Sequence, residues 1–312
     1  QTSNTNIKDD FLPVGTGSTN PFKGNFDGDN HTISNLKING NGTNNNVPNS
    51  YKAVFGYVLG STIKNLNVKG NISCASYAAG IWAFMGAAES SNYAQIINCS
   101  FIGEVESTGS YVGGICGYAN NYTNIIDCEV SGRVAGGSTN IGGIAGYSGG
   151  TDDARNYIEN CINVANVGGS SSVGGICGQI SKGDIMYSTN GGNVSGTSYS
   201  TAGIVGYNSG FALYCLNTGN VNTGAAISGG NNYCSYCYYD KTKSSVLGVS
   251  NSSNVSNDND GSAIGLAPQQ IVGNTPTGLT GTNWNNTYWT FDDDRYPVPA
   301  GHTSDIAMVS AI

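Results

Sequence analysis

The stretch Tyr111–Gly136, YVGGICGYANNYTNIIDCEVSGRVAG, opens with three glycines, Gly113, Gly114 and Gly117, around one thiol, Cys116. Glycines so placed can cradle a phosphate, and an activated thiol beside them can act as a nucleophile. Other residues could also do chemistry. Cys234 and Cys237 form a C-x-x-C pair, but zinc would need two more ligands, and the two histidines, His31 and His302, lie near the chain ends. Asp292, Asp293 and Asp294 are calcium candidates without the spaced oxygen pattern of a known loop, so a solvated turn before Tyr296-Pro297 is expected. Glu104, Glu106 and Glu129 are the carboxylates available to a polysaccharide hydrolase, which needs two roughly 5–10 Å apart. Tyr57, Phe84, Tyr118, Tyr147 and Tyr207, with Gln179 in the same series, could offer apolar ring faces and polar edges to a sugar.

The elements that must position these residues are repeats. Six 12-residue stretches align without a gap, starting at Ile63, Ile96, Ile125, Ile158, Ile185 and Ala212, and a seventh from Ile33 matches over ten residues. Position four reads Leu36, Leu66, Cys99, Cys128, Cys161, Ser188, Cys215; position ten reads Gly42, Ile72, Val105, Val134, Val167, Val194, Val221. From position four onward every second residue is small or apolar, the period of a strand with one buried face. Position six passes from Ile38, Val68, Phe101 and Val130 to Asn163, Asn190 and Asn217, which predicts an inward asparagine ladder bonding coil to coil.

The same treatment dissolves the phosphate loop. "GGICGY" recurs as "GGIAGY", "GGICGQ" and "AGIVGY", with "AGIWAF" and "KAVFGY" earlier, and its aliphatic residues form a column: Val54, Ile81, Ile115, Ile144, Ile176, Ile204. A single site needs one cradle and a following helix; a repeated one reads as a packing unit. Coils of about 30 residues with two or three short strands predict an all-β, right-handed parallel β-helix (β-solenoid) of about seven coils, stacked near 4.8 Å. Residues 1–30 are expected as an N-terminal cap, 31–230 as the repeats and 231–312 as a C-terminal capping region, since solenoid ends need protection.

Column logic extends to the candidate sites. Cysteines at position four behave as small core hydrophobes, and Cys116 and Cys177 lie two coils apart, about 9.6 Å, too far to bridge. Glu104 faces Arg133 one coil away, which predicts a surface ion pair, with Glu106 and Glu129 near the same flank. The aromatic series is better read as plastering the corner of each coil, lending packing and cross-strand stabilisation, than as a sugar platform.

Composition excludes several classes. Net charge is −8 with only 12 Lys plus Arg among 312 residues, so there is no electrostatic footprint for nucleic acid. No apolar stretch is long enough to insert in a membrane. The chain begins at Gln1 and reads as a segment of a longer precursor.

Asp10–Ile38, DFLPVGTGSTNPFKGNFDGDNHTISNLKI, and the "GGICGY…NC" units resemble bacterial surface and secreted proteins carrying the GLUG motif, which also occurs in non-catalytic regions of IgA-specific metallopeptidases. "CYYD" (Cys237–Asp240) and "WTFDDDRYPVP" (Trp289–Pro299) resemble the segment that ends such arrays. The resemblance implies an exported module of a longer surface protein, with no catalytic residues, cofactor or metal to carry over; the chain has no H-E-x-x-H. The expectation is therefore an extracellular, adhesin-like module that is not an enzyme and recognises a glycan or a cell-surface protein. A β-helical glycoside hydrolase or lyase, and a passive spacer, are the alternatives.

Overall fold

The computed structural model describes residues 11–40, 49–86, 93–230, 233–244, 246–251 and 263–302. The chain winds into a parallel β-solenoid of about seven turns. A typical coil carries four short strands, more than the expected two or three: Ala94–Ile97, Ser100–Ser107, Val112–Gly113 and Cys116–Ala119. Each pairs in parallel with its counterparts one coil before and after, which builds four stacked ladders. Ile63, Ile96, Ile125, Ile158 and Ile185 stack in one inner column, and Ile72, Val105, Val134, Val167, Val194 and Val221 in another, all essentially inaccessible.

Sharp corners separate the strands, and their residues explain the sequence. One corner holds Asn65, Asn98, Asp127, Asn160, Tyr187, Tyr214 and Tyr236 in the left-handed region, φ 48–57°. Asn and Asp enter this region readily, bulky tyrosines at a cost. The next residue is position four. Its thiol or hydroxyl donates to the carbonyl two residues back: Cys128 to Ile126 (3.2 Å), Cys161 to Glu159 (3.2 Å), Ser188 to Met186 (2.9 Å). A small side chain with one donor fits this buried corner, so Ser188 can replace Cys among Cys99, Cys128, Cys161 and Cys215, while Leu66 fills it by packing alone.

The glycine pairs have a packing cause. A Cβ on Gly114 would collide with Gly143 O and the Val130 side chain, and one on Gly143 with Gly175 O and the Asn163 side chain. The second glycine of each "GG" is where one wall of the coil touches the position-six residue of another. Cys116 is wholly buried and burial pushes its thiol far above the ordinary range, the opposite of the activated thiol a catalytic loop would need.

The asparagine ladder forms as expected. Asn163 donates to Asn190 Oδ1 and Asn190 to Asn217 Oδ1, each at 2.8 Å, and all three are inaccessible. Its cause is a change in the strand. Coils with an apolar position six have continuous strands, Asn67–Cys74, Ser100–Ser107 and Glu129–Gly136; those with Asn are broken, as in Ile162–Asn163 and Asn166–Gly168. At the break each amide also bonds the backbone two residues on: Asn163 Nδ2 to Ala165 O (3.0 Å), Asn190 to Gly192 O (2.9 Å), Asn217 to Gly219 O (3.1 Å).

The first repeat departs from its expected register. Phe26, not Ile33, pairs with Ile63, and Asp27 with Lys64. Ile33 pairs with Val68, and after a bulge Leu36 pairs with Gly70 and Ile38 with Ile72. Asp27 anchors the shift by a 3.0 Å ion pair to Lys64 and a 2.9 Å bond from Asn65 Nδ2. Gly42, the expected start of column ten, lies outside the described residues.

At its ends the ladder runs past the expected repeat boundaries. Phe26–Asp27 already belongs to it, and residues before it bridge the first coil at Val14–Phe55 and Phe22–Val58. Beyond residue 230, Cys234–Ser235, Cys237–Asp240, Val249–Asn251 and Ala263–Leu266 continue it, with Cys234 stacking on Ala212 and Cys237 accepting from Cys215 N. After a short helix, Pro268–Ile271, the chain folds back over the outer face of the last coils. Trp284, Trp289, Tyr296 and Val298 form a second core there with Ile162, Leu216 and Tyr238. Position five is outward-facing, and it changes from Asn67, Ser100 and Glu129 to Ile162, Thr189, Leu216 and Tyr238 where this segment lies.

Candidate recognition surface

The aromatic series stacks coil on coil. Tyr57–Phe84, Phe84–Tyr118 and Tyr118–Tyr147 have ring centroids 4.7, 4.8 and 4.8 Å apart and planes within 6–23° of parallel. The separation equals the coil spacing, so each ring slips across the next and the faces turn largely toward one another. Edges and hydroxyls point outward, giving a ridge rather than a flat platform. Tyr207 belongs to the same column through Gln179, which separates it from the four-ring stack.

A second stack, which the sequence reading missed, lies beside it. Tyr51–Tyr77 and Tyr77–Tyr111 stack at 4.9 and 4.8 Å, and edge contacts of 5.2–6.0 Å tie the two stacks into one seven-ring ladder. The signal was present in "SYKA", "SYAAG" and "SYVGG", a tyrosine at one place in three successive coils. Tyr51, Tyr77 and Tyr111 hold φ of 60°, 55° and 65°, a conformation taken in the next coils by Asn140 and Ser172. Such residues cost on the order of 1–3 kcal/mol each, a cost met here by stacking.

The columns before the rings explain their partial exposure. Val54, Ile81, Ile115 and Ile144 are buried, as are Phe55, Trp82, Cys116 and Ala145, so the strand is covered on both sides and the rings occupy its rim, half-buried. Burial first, then the neighbouring hydroxyls of Tyr147, Tyr111 and Tyr77, pushes the Tyr118 phenol up to about 12; burial also raises Tyr57 and Tyr77. These phenols are therefore neutral at physiological pH. Tyr147 Oη lies 3.1 Å from Ser181 Oγ, while among the described residues the hydroxyls of Tyr51, Tyr57, Tyr77, Tyr111 and Tyr118 bond to nothing.

The other candidates are dispersed. Glu104 and Arg133 are register partners, but the Arg133 guanidinium reaches past Glu104 to pair with Glu106. A long side chain angled along the strand finds the next outward carboxylate, two residues on. Glu129 is not with them: it meets His302 Nδ1, whose Nε2 lies 2.6 Å from Asn160 O. A polar cleft of about 350 Å³ beside that clasp is lined by Asn67, Asn98, Ser100, Asp127, Glu129 and His302, among others. Asp293 and Asp294 form the turn between Trp289–Asp292 and Arg295–Pro299, Asp292 pairs with Arg295 in that hairpin, and Asp293 accepts from Asn274. All nine cysteines are buried free thiols, Cys234 and Cys237 included. Among the described residues no group of three or more His, Cys, Asp or Glu could hold a metal ion, and no helix is long and apolar enough to cross a membrane.

Residues 108–135 match the family model of the GLUG motif. A solved structure of a "putative immunoglobulin A1 protease" from Bacteroides ovatus is similar in fold, with a TM-score of 0.56 and 23% identity over 93% of this chain and 81% of that chain. No curated protein matches significantly.

Proposed function

We propose that this GLUG-motif solenoid is an exported, bacterial cell-surface module, adhesin-like and without catalytic activity, whose seven-ring ladder grips an extended glycan or cell-surface protein laid along the rod. The observation that carries this reading is the ladder itself: aromatic edges repeated at coil spacing, three of them on a costly backbone conformation, with five hydroxyls unpaired among the described residues. The reading is of a part within a longer surface protein. A hydrolase is the less supported alternative, because Glu106 is engaged by Arg133 and Glu129 by His302 on another flank.

The test is retention on panels of polysaccharides and whole cells, with release of new sugar ends read in parallel. Wild type should be retained without release, and Tyr118→Ser with Tyr147→Ser should abolish retention. Release of sugar ends, or retention unchanged in that double variant, would overturn the reading.

A further inference from the structure

The molecule carries a second tyrosine stack of the same construction as the outer column of the ladder. Tyr187, Tyr214 and Tyr236 sit in successive coils at φ 48°, 53° and 53°, with centroids 5.7 and 4.8 Å apart and planes within 21°. Tyr51, Tyr77 and Tyr111 match them in residue type and left-handed backbone conformation, and stack somewhat more closely, at 4.9 and 4.8 Å.

What differs is the cover. The returning C-terminal segment lies on the Tyr187 stack. Tyr288 stacks on Tyr187 at 4.4 Å and 10°, and Asn283 Nδ2 donates to Tyr187 Oη at 2.7 Å. Gly281 lies so close that a Cβ there would come 2.7 Å from the Tyr236 ring and 3.2 Å from that of Tyr214. A Gly-x-Asn run followed by an aromatic residue thus reads three stacked tyrosines through a close backbone approach, an amide on a hydroxyl and a ring on a ring. Such a segment carries no charge, which suits half-buried aromatic rings. On the Tyr51–Tyr77–Tyr111 side no returning segment lies on the stack among the described residues: the rings stack on one another, meet the neighbouring aromatic column edge-on and pack on Ala53, Ala79 and Ala83, and their hydroxyls have no partner.

We infer that the open ladder takes an uncharged polypeptide segment of another molecule, containing Gly-x-Asn and a following aromatic residue, in the way Gly281–Tyr288 covers the Tyr187 stack. The inference rests on the recognition reading above and chooses protein over glycan as its ligand class.

The probe is a dye-labelled synthetic peptide of residues 279–288, titrated against the whole chain by fluorescence anisotropy, with a photo-crosslinker in the peptide to locate it. Saturable binding is expected, with cross-links to residues 51–118, and Tyr77→Asn with Tyr111→Asn should weaken it about tenfold or more. Asn already occupies this corner at Asn140, φ 65°, so that variant keeps its backbone; circular dichroism checks it. A peptide with the residues matching Asn283 and Tyr288 changed to Ala should not bind. No saturable binding, or cross-links only to the Tyr187 stack, refutes the inference. If a soluble polysaccharide then binds and the tyrosine variants abolish that binding, the ligand class falls and the recognition reading stands. If retention on cells also survives those variants, both fall.

Discussion

Replacing Asn190 by Val tests the central claim about how the solenoid changes character midway. Asn190 accepts from Asn163 and donates to Asn217 and to Gly192 O, all at 2.8–2.9 Å and fully out of solvent. Val restores the residue type that earlier coils carry in this column, Val68 and Val130, so burial and β propensity favour the variant. Three bonds are lost, each with a net contribution of about 1 kcal/mol, and a buried carbonyl loses a donor at a further cost of about 1–3 kcal/mol. Asn163 keeps Ala165 O and Asn217 keeps the Gly219 amide, and Val returns part of the loss through its methyls. The balance is a destabilisation of roughly 2–4 kcal/mol. Urea denaturation followed by circular dichroism reads it as a lower midpoint at unchanged slope. Asn193→Asp is the control: Asn193 is exposed, and the acceptor it gives Asn220 N is retained, so its effect should stay within about 0.5 kcal/mol. A midpoint for Asn190→Val equal to wild type would refute the idea that these amides replace strand hydrogen bonds.

Three further outcomes are expected. Val134→Asp puts a carboxylate in a fully inaccessible column and should abolish cooperative unfolding, whereas a normal transition would mean the register is misassigned. Lys52 occupies the inner column otherwise held by Ala78, Val112, Ile141 and Val173; it is 4% exposed, and burial draws its ammonium below the usual lysine range, with Cys74 partly opposing. A base so depressed penalises the fold most below its folded pKa and not at all above the unfolded value near 10.4, so Lys52→Met should raise the urea midpoint at pH 7 and lose that advantage as pH approaches 10; equal midpoints at pH 7 would count against it. Burial pushes the Cys74 thiol up to about 11 and that of Cys177 to about 12, so iodoacetamide at pH 8 should leave native protein unlabelled and label all nine cysteines in urea; rapid native labelling would contradict the packing.

The strand columns were legible because a solenoid repeats its physics every coil: Val105, Val134 and Val167 face inward for the same reason at the same place. Three things were not. The register of the first coil depends on Asp27 meeting Lys64 and Asn65, a contact between coils that the local match at Ile33 obscured. The outer tyrosine stack is obscured in the sequence because Tyr51 lies one residue nearer the "GGI" unit than Tyr77 or Tyr111 does, so the three fall out of column when that unit is aligned. The pairing of Arg133 with Glu106 rather than Glu104 follows from side-chain reach, which column position does not encode.

The returning C-terminal segment has a consequence for how such a chain can lengthen. Its contacts fall at fixed coils: Trp284 bonds Tyr236 O, Asn283 meets Tyr187 and His302 meets Glu129, residues 48, 96 and 173 positions apart in sequence. Duplication of a coil anywhere from Glu129 to Tyr236 would slide the strap out of step with the apolar residues laid down for it. Duplication before Glu129 would leave that match intact and extend the tyrosine ladder by one ring pair. Repeat gain that keeps the strap in step is thus confined to the amino-terminal half, where each added coil lengthens the aromatic ladder.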